Sequence, residues 1–198
     1  INEAITLGFS RITWSIIPQT FDFYWQPPAY TPGPAKAKQR LAEAGYPKGF
    51  DAGDLWCDAA TATMSEAAAG FLQATGIRAR VLPLERAGFF KVYQEKTLKN
   101  LVYSISGAFG NAATRLETFV ASGGIYVYGG YPDIDGLFSE QAGELDRKRR
   151  EAMLHRIQQL VHDKAMYAPI WELGFIHAHG SRVAESGLGL ITGWAFSA

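Results

Sequence analysis

The side chains best suited to chemistry cluster behind an apolar run at residues 101–103. Tyr103, Ser104, Ser106, Phe109, Asn111 and Arg115 follow one another there, and Arg86 opens the amphipathic segment just before. Hydroxyls, an amide and two guanidinium groups are recognition groups: they donate and accept hydrogen bonds and pair with carboxylates. They do not form a nucleophile with its base and an orienting group. Other combinations are weaker. His177 and His179 would share one face of a strand, but no cysteine or third histidine completes a metal set, so no metal is expected. Asp133 and Asp135 match only part of a calcium loop, and after Pro132 they are expected to cap a helix. No Gly-x-Ser-x-Gly elbow is present. Cys57, between Trp56 and Asp58, reads as a buried thiol. The run SGGIYVYGG lacks the Lys-Ser/Thr ending of a phosphate loop, and DRKRREAM reads as the solvated first turns of a helix. No cofactor is expected.

The elements that must position these residues follow from pattern. PAKAKQRLAEAGYPKGF predicts a short helix, with Pro34 in its first turn, Ala37, Leu41 and Ala44 on one face, and a stop at Gly45 and Pro47. DLWCDAA, IRARVLPL and LVYSISGAF predict three strands, the second alternating apolar and charged residues. Between them, MSEAAAGFLQATG and residues 85–98 predict helices, the latter offering Phe89, Phe90 and Tyr93 for burial. The resulting β-α-β-α-β order is that of an α/β sheet with crossover helices, and ligands of such sheets lie beyond the carboxyl ends of the strands. That places the Arg86 to Arg115 group at an expected ligand site.

Elsewhere, residues 1–8 read as the end of a helix. Residues 11–33 are proline-rich and aromatic (Trp14, Phe21, Phe23, Tyr24, Trp25, Tyr30), an ordered but irregular segment. Residues 104–136 read as a long structured loop with one short helix at 112–120. Asp146 is expected to cap a helix reaching Lys164, with Met153, Ile157, Leu160, Val161 and Ala165 as its buried stripe. APIWELGFIHAHG predicts a long strand.

With 198 residues, 47% hydrophobic and 19% charged, the chain can bury a sizeable core. Nineteen basic residues balance nineteen acidic ones, which argues against nucleic acid as a partner. The opening INEAITLGF lacks a cap and the closing ITGWAFSA lacks a stop signal, so the sequence reads as a fragment of a longer protein.

YTPGPAKAKQRLAEAGYPKGFD resembles the Y-x-P-x-x-A-K-x-L-L-x-E-A-G-Y-P-x-G-F segment of the oligopeptide/dipeptide-type (family 5) extracytoplasmic substrate-binding proteins of ABC transporters. INEAITLGF, FLQATGIRARVLPLERAGFFK and the stretch from YPDIDGLFSEQ to APIWE are similar to further segments of that family, in the same order. The resemblance implies the C-terminal lobe of a two-lobed, type II periplasmic-binding-protein fold: an α/β lobe with a mixed β-sheet flanked by helices. It implies a division into an irregular segment after the crossover (1–33), the lobe itself (34–180) and a segment returning to an N-terminal lobe (181–198). It further implies solute binding in an inter-lobe cleft, delivery to a membrane permease, a periplasmic location and no catalysis. The ligand residues would be Arg86, Tyr103, Ser104, Ser106, Phe109, Asn111 and Arg115. Two readings from other classes are an α/β hydrolase and a ligand-sensing domain on the same fold.

One departure from the family pattern bears on the ligand. Its peptide binders carry an aromatic residue and then an Asp after the third strand, in a W-x-x-D-Y type element. Here the stretch reads SISGAFGNAATRLE, with no carboxylate between Tyr103 and Glu117. Burying a ligand ammonium without a counter-charge is costly. The expected ligand contact is therefore not the usual peptide amine contact, and Arg86 and Arg115 point to a carboxylate or another acceptor.

Overall fold

A computed structural model describes residues 3, 6–31, 33–107, 110–174 and 178–184. The chain divides into two units, Tyr30–Ile105 and Asn2–Ala29 with Ser106–Ala198.

The first unit begins where the sequence predicts. Helix α1 (Pro34–Glu43) has proline in its first turn and none of its residues is fully buried. Its end is fixed by Gly45 at φ 90 and by the Tyr46 N–H donating back to the Leu41 carbonyl at 2.7 Å. Strand β2 (Phe50–Asp58) leads through a 3-10 turn, Ala59–Thr61, into α2 (Ala62–Thr75). Strand β3 (Ile77–Leu84), helix α3 (Arg86–Gln94) and strand β4 (Leu101–Val102) complete the alternation. The three strands form one parallel sheet in the order β3-β2-β4, with α2 packed on β3 and α3 on β2. Gly49 and Gly76 meet where β2 and β3 begin, and a Cβ on Gly49 would lie 2.0 Å from the Gly76 carbonyl oxygen. Both have positive φ, +73 and +107, so glycine is required twice over. Leu55, Cys57, Phe89, Tyr93, Leu98 and Tyr103 are the buried apolar residues of this unit.

Two expectations need correction here. The third strand is two residues long rather than nine, although the Tyr103 N–H still reaches the Trp56 carbonyl at 2.8 Å. Beyond it, no further residue pairs with β2: the ladder consists of Leu101 against Leu55 and Val102 against Trp56 among the described residues. Helix α3 also ends early, because Lys96 takes φ 56 and turns the chain.

The second unit is mainly helical. A two-stranded antiparallel ribbon pairs β1 (Arg11–Ile12) with β5 (Trp171–Glu172). Its helices are α4 (Ala112–Phe119), α5 (Pro132–Gly143) and α6 (Arg147–Asp163), the last capped by Asp146 through the Arg149 N–H at 2.9 Å. The core gathers Ile17, Ala112, Ala113, Leu116, Val120, Ile134, Leu154, Ile157 and Val161. The aromatic segment packs on it through Phe21, Phe23 and Tyr24. Buried Gln158 holds that segment, donating to the Phe23 carbonyl at 2.7 Å and accepting from the Trp25 N–H at 3.0 Å. The stripe of α6 is Leu154, Ile157, Gln158 and Val161. It is rotated from the expected one because a polar glutamine takes a core position, and Ala165 is exposed beyond the helix end. The long strand expected over 168–180 is reduced to residues 171–172 among the described residues. Residues 175–177, including His177, lie outside the described residues, as do residues 1, 2, 4 and 5 of the opening helix and most of 181–198.

Candidate functional site

In the first unit the carboxyl ends of the three parallel strands deliver Asp58, Arg86 and Tyr103 to one edge. Asp58 ends β2 and has only 7% of its side chain exposed. One carboxylate oxygen accepts from the Ala60 N–H at 3.0 Å and caps the 3-10 turn. The other accepts from Arg86 Nη1 at 3.3 Å. Below it, the Thr61 hydroxyl donates to the Asp58 carbonyl at 2.8 Å, and the Ser65 hydroxyl to the Thr61 carbonyl at 3.0 Å. Arg86 itself is 68% exposed and lies 5.5 Å from the centre of the Phe90 ring. Glu85 caps α3, taking the Ala87 and Gly88 N–H groups at 3.0 and 3.3 Å. Tyr103 turns inward instead: it is 8% exposed and its hydroxyl contacts Met64 Sδ at 3.6 Å. Burial, with a smaller contribution from Cys57, pushes the phenol up to about 12. Ser104 is exposed beside it.

In the second unit the other candidates form a separate cluster. The Asn111 side chain caps α4 by accepting from the Thr114 N–H at 3.1 Å. One turn into that helix, Arg115 donates through Nη1 to the Ser106 hydroxyl at 2.9 Å and to the Gly107 carbonyl at 3.1 Å. Its Nε donates to the Ile16 carbonyl, and its guanidinium stacks 4.8 Å from the Phe119 ring centre. Burial holds Arg115 below its ordinary value, an effect opposed by Tyr167. Burial raises Tyr167 in turn, opposed by Arg115, while the Tyr167 hydroxyl donates to the Phe119 carbonyl.

Ser106, Asn111 and Arg115 thus come together, as do Arg86 and Tyr103 around the end of β2. Phe109 lies outside the described residues. Asp58 is the residue that sequence reading passed over. Its signal was there: an acid closing an apolar strand ahead of Ala-Ala-Thr is a helix-capping pattern at the carboxyl end of a strand. Asp133 and Asp135 lie in the first turn of α5 but do not cap it as expected, because Tyr131 holds the cap position without a side-chain bond and both acids are drawn to other partners. Asp133 pairs with Lys164 at 3.2 Å, and Asp135 holds the Ser122 N–H at 2.8 Å together with the Ser122 hydroxyl. Cys57 is free and buried. Among the described residues no group of histidine, cysteine and acid side chains could hold a metal ion, and no helix is long and apolar enough to cross a membrane.

A parallel sheet with crossover helices is shared by many α/β proteins, and the comparisons with solved structures narrow it to the fold of periplasmic binding proteins. HbpA2 from Haemophilus parasuis superposes with a TM-score of 0.77 at 21% identity, over 86% of this chain and 36% of that one. The periplasmic binding protein DppA from Helicobacter pylori, in complex with the peptide STSA, gives 0.76 at 21% identity over 86% and 35%. In sequence, heme-binding protein A of Haemophilus influenzae is 27% identical over 152 residues, 71% of this chain and 28% of the relative. The chain therefore spans about a third of the length of the proteins it matches. No family model matches it. The α/β binding-protein fold stands on these similarities, and DppA, heme-binding protein A and a dipeptide binding protein of similar structure are named for binding rather than for catalysis.

Proposed function

We propose that the chain is the C-terminal lobe of an extracytoplasmic, periplasmic substrate-binding protein, which holds a small organic or peptide-like solute against an N-terminal lobe and delivers it to an ABC-transporter permease. The observation that carries this reading is the superposition over 86% of the chain on proteins of that kind. The placement of Arg86 and Ser104 on the carboxyl edge of a parallel sheet supports it, because that edge is where such folds take ligands. Residues 34–180 form the lobe in this reading, with 1–33 following the crossover and 181–198 returning to the other lobe. The ligand residues remain Arg86, Tyr103, Ser104, Ser106, Phe109, Asn111 and Arg115. Tyr103 and Arg115 contribute as supports, given their inward contacts.

Native mass spectrometry of the full-length protein, purified without denaturation, tests the reading. A retained solute of defined mass is the expected result, since lobe closure traps the ligand. An empty protein that also shows no thermal shift against peptides, organic acids and sugars overturns it.

A further inference from the structure

The Asp58–Arg86 pair has a geometry that a purely structural ion pair does not need. Asp58 is the one charged side chain among the buried described residues. Both of its oxygens are already engaged, one by a backbone N–H and one by Arg86. Arg86 by contrast contributes one long contact of 3.3 Å from a single nitrogen. A guanidinium carries five N–H donors in a planar fork and reaches full strength with a carboxylate when two of them act in parallel. A second edge of that fork is therefore free, on a side chain 68% exposed at the carboxyl edge of the sheet.

We propose that Arg86 is the receptor for a carboxylate of the bound solute, and that Asp58 is a positioning residue that tethers Arg86 for it. This rests on the solute-binding reading above and assigns its ligand class. The opposite assignment, a solute ammonium on Asp58, is disfavoured because that acid is buried and its charge is already paired with Arg86. The end of α3 is not the receptor either, since Glu85 occupies its first N–H groups and its charge is offset there. Nor is Arg115, which is drawn inward with three of its five N–H donors on Ile16, Ser106 and Gly107. The stretch from Tyr103 to Glu117 offers no acid for an amine. A solute recognised by its carboxylate rather than by its amine fits both facts.

The test is calorimetric titration of the full-length protein with two probes, N-acetyl-Ala-Ala, which has a carboxylate and no amine, and Ala-Ala-amide, which has the reverse. The acid probe is expected to bind at least tenfold more tightly. Arg86→Gln should remove that preference, leaving the amide probe unchanged, and Arg86→Lys should restore part of it. Asp58→Asn should weaken the acid probe by about three- to tenfold at an unchanged melting temperature, a split that a merely structural role does not give. A preference for the amide probe, or an Arg86→Gln variant that binds the acid as the parent does, overturns the assignment while leaving solute binding intact. Unweakened acid binding by Asp58→Asn removes the positioning role. Failure of both probes, with an empty protein by native mass spectrometry, overturns the assignment and the solute-binding reading together.

Discussion

Arg86 and Arg115 stand in different units and are held in opposite ways. Arg86 is tied to a buried carboxylate and left open to solvent. Arg115 has no carboxylate within bonding distance among the described residues; it is drawn inward onto two backbone carbonyls, a serine hydroxyl and an aromatic ring. The first arrangement neutralises the charge and keeps donors available. The second spends three of its five donors within the protein, joining residue 16, residues 106–107 and helix α4. A guanidinium that closes three chain segments is a fold element, whereas one that rests against a single acid is free to meet a ligand. Residue type alone does not separate them; the partner and the exposure do.

The largest effects are expected from side chains that neither arginine competes with. Phe89 is fully buried in the first unit, against Phe90 and Tyr93 at ring-centre distances of 5.3 and 5.6 Å. Phe89→Ala should cost about 3–5 kcal/mol in urea unfolding, the usual range for an aromatic cavity. A loss below about 1 kcal/mol would mean that the sheet unit is not packed as described. Next comes Arg115. Arg115→Met should lose about 2–4 kcal/mol, because it leaves carbonyls and a hydroxyl without their donor. Arg115→Lys should recover less than half, since an ammonium cannot reproduce the fork. A neutral Arg115→Met would erase the contrast between the two arginines.

How much of this was legible in the sequence follows the same division. The first unit was read nearly element by element, because its signals are local: Pro34 and Gly45 bound one helix, and the alternation of IRARVLPL appears in β3 as alternating burial. The two-residue β4 was overestimated, because strand length there depends on pairing with β2 rather than on composition. In the second unit, Asp146 and the helix expected at 112–120 are found, the latter ending at Phe119, and the buried face of α6 was read in part: Ile157, Leu160 and Val161 face the core, but Leu154 and Gln158 were not foreseen there. Gln158 is buried because two backbone groups of the aromatic segment lie against it, a contact 133 to 135 residues distant in sequence. The candidate ligand residues follow one another in sequence as a single group, whereas the described ones fall into two clusters. Asp58 was missed because its role is defined by Arg86, 28 residues away.

Tyr103 gives a smaller effect that separates support from contact. Its folded-state value, about 12 against 10.0, is raised by burial and then by Cys57. A raised value favours the neutral phenol in the folded state, so this contribution is complete below pH 10 and is lost as pH rises from 10 to 12. The loss should be on the order of 2 kcal/mol. Tyr103→Phe should therefore be nearly neutral at pH 7, where only a weak sulfur contact disappears, and should flatten the alkaline fall in stability. Equal alkaline midpoints for the two proteins would show that the phenol is open to water, and Tyr103 would return to the exposed ligand residues.

Of the two arginines, Arg86 is expected to give the smaller change in stability, and its smallness is the sharpest form of the comparison. Removing one member of a buried ion pair is usually expensive, because an uncompensated charge remains. Here only the acid is buried. The guanidinium is 68% exposed, so the attraction is screened by water and an exposed-pair scale of about 1 kcal/mol or less applies. Asp58 also keeps the Ala60 N–H on its other oxygen, and a glutamine at position 86 can still donate to the first. Arg86→Gln should accordingly unfold within about 1 kcal/mol of the parent in urea while losing the carboxylate probe. That dissociation of binding from stability is what Arg115→Met cannot show. A loss of 3 kcal/mol or more on the buried-pair scale would make Arg86 a second fold element, and the exposed edge of its guanidinium would no longer argue for a ligand.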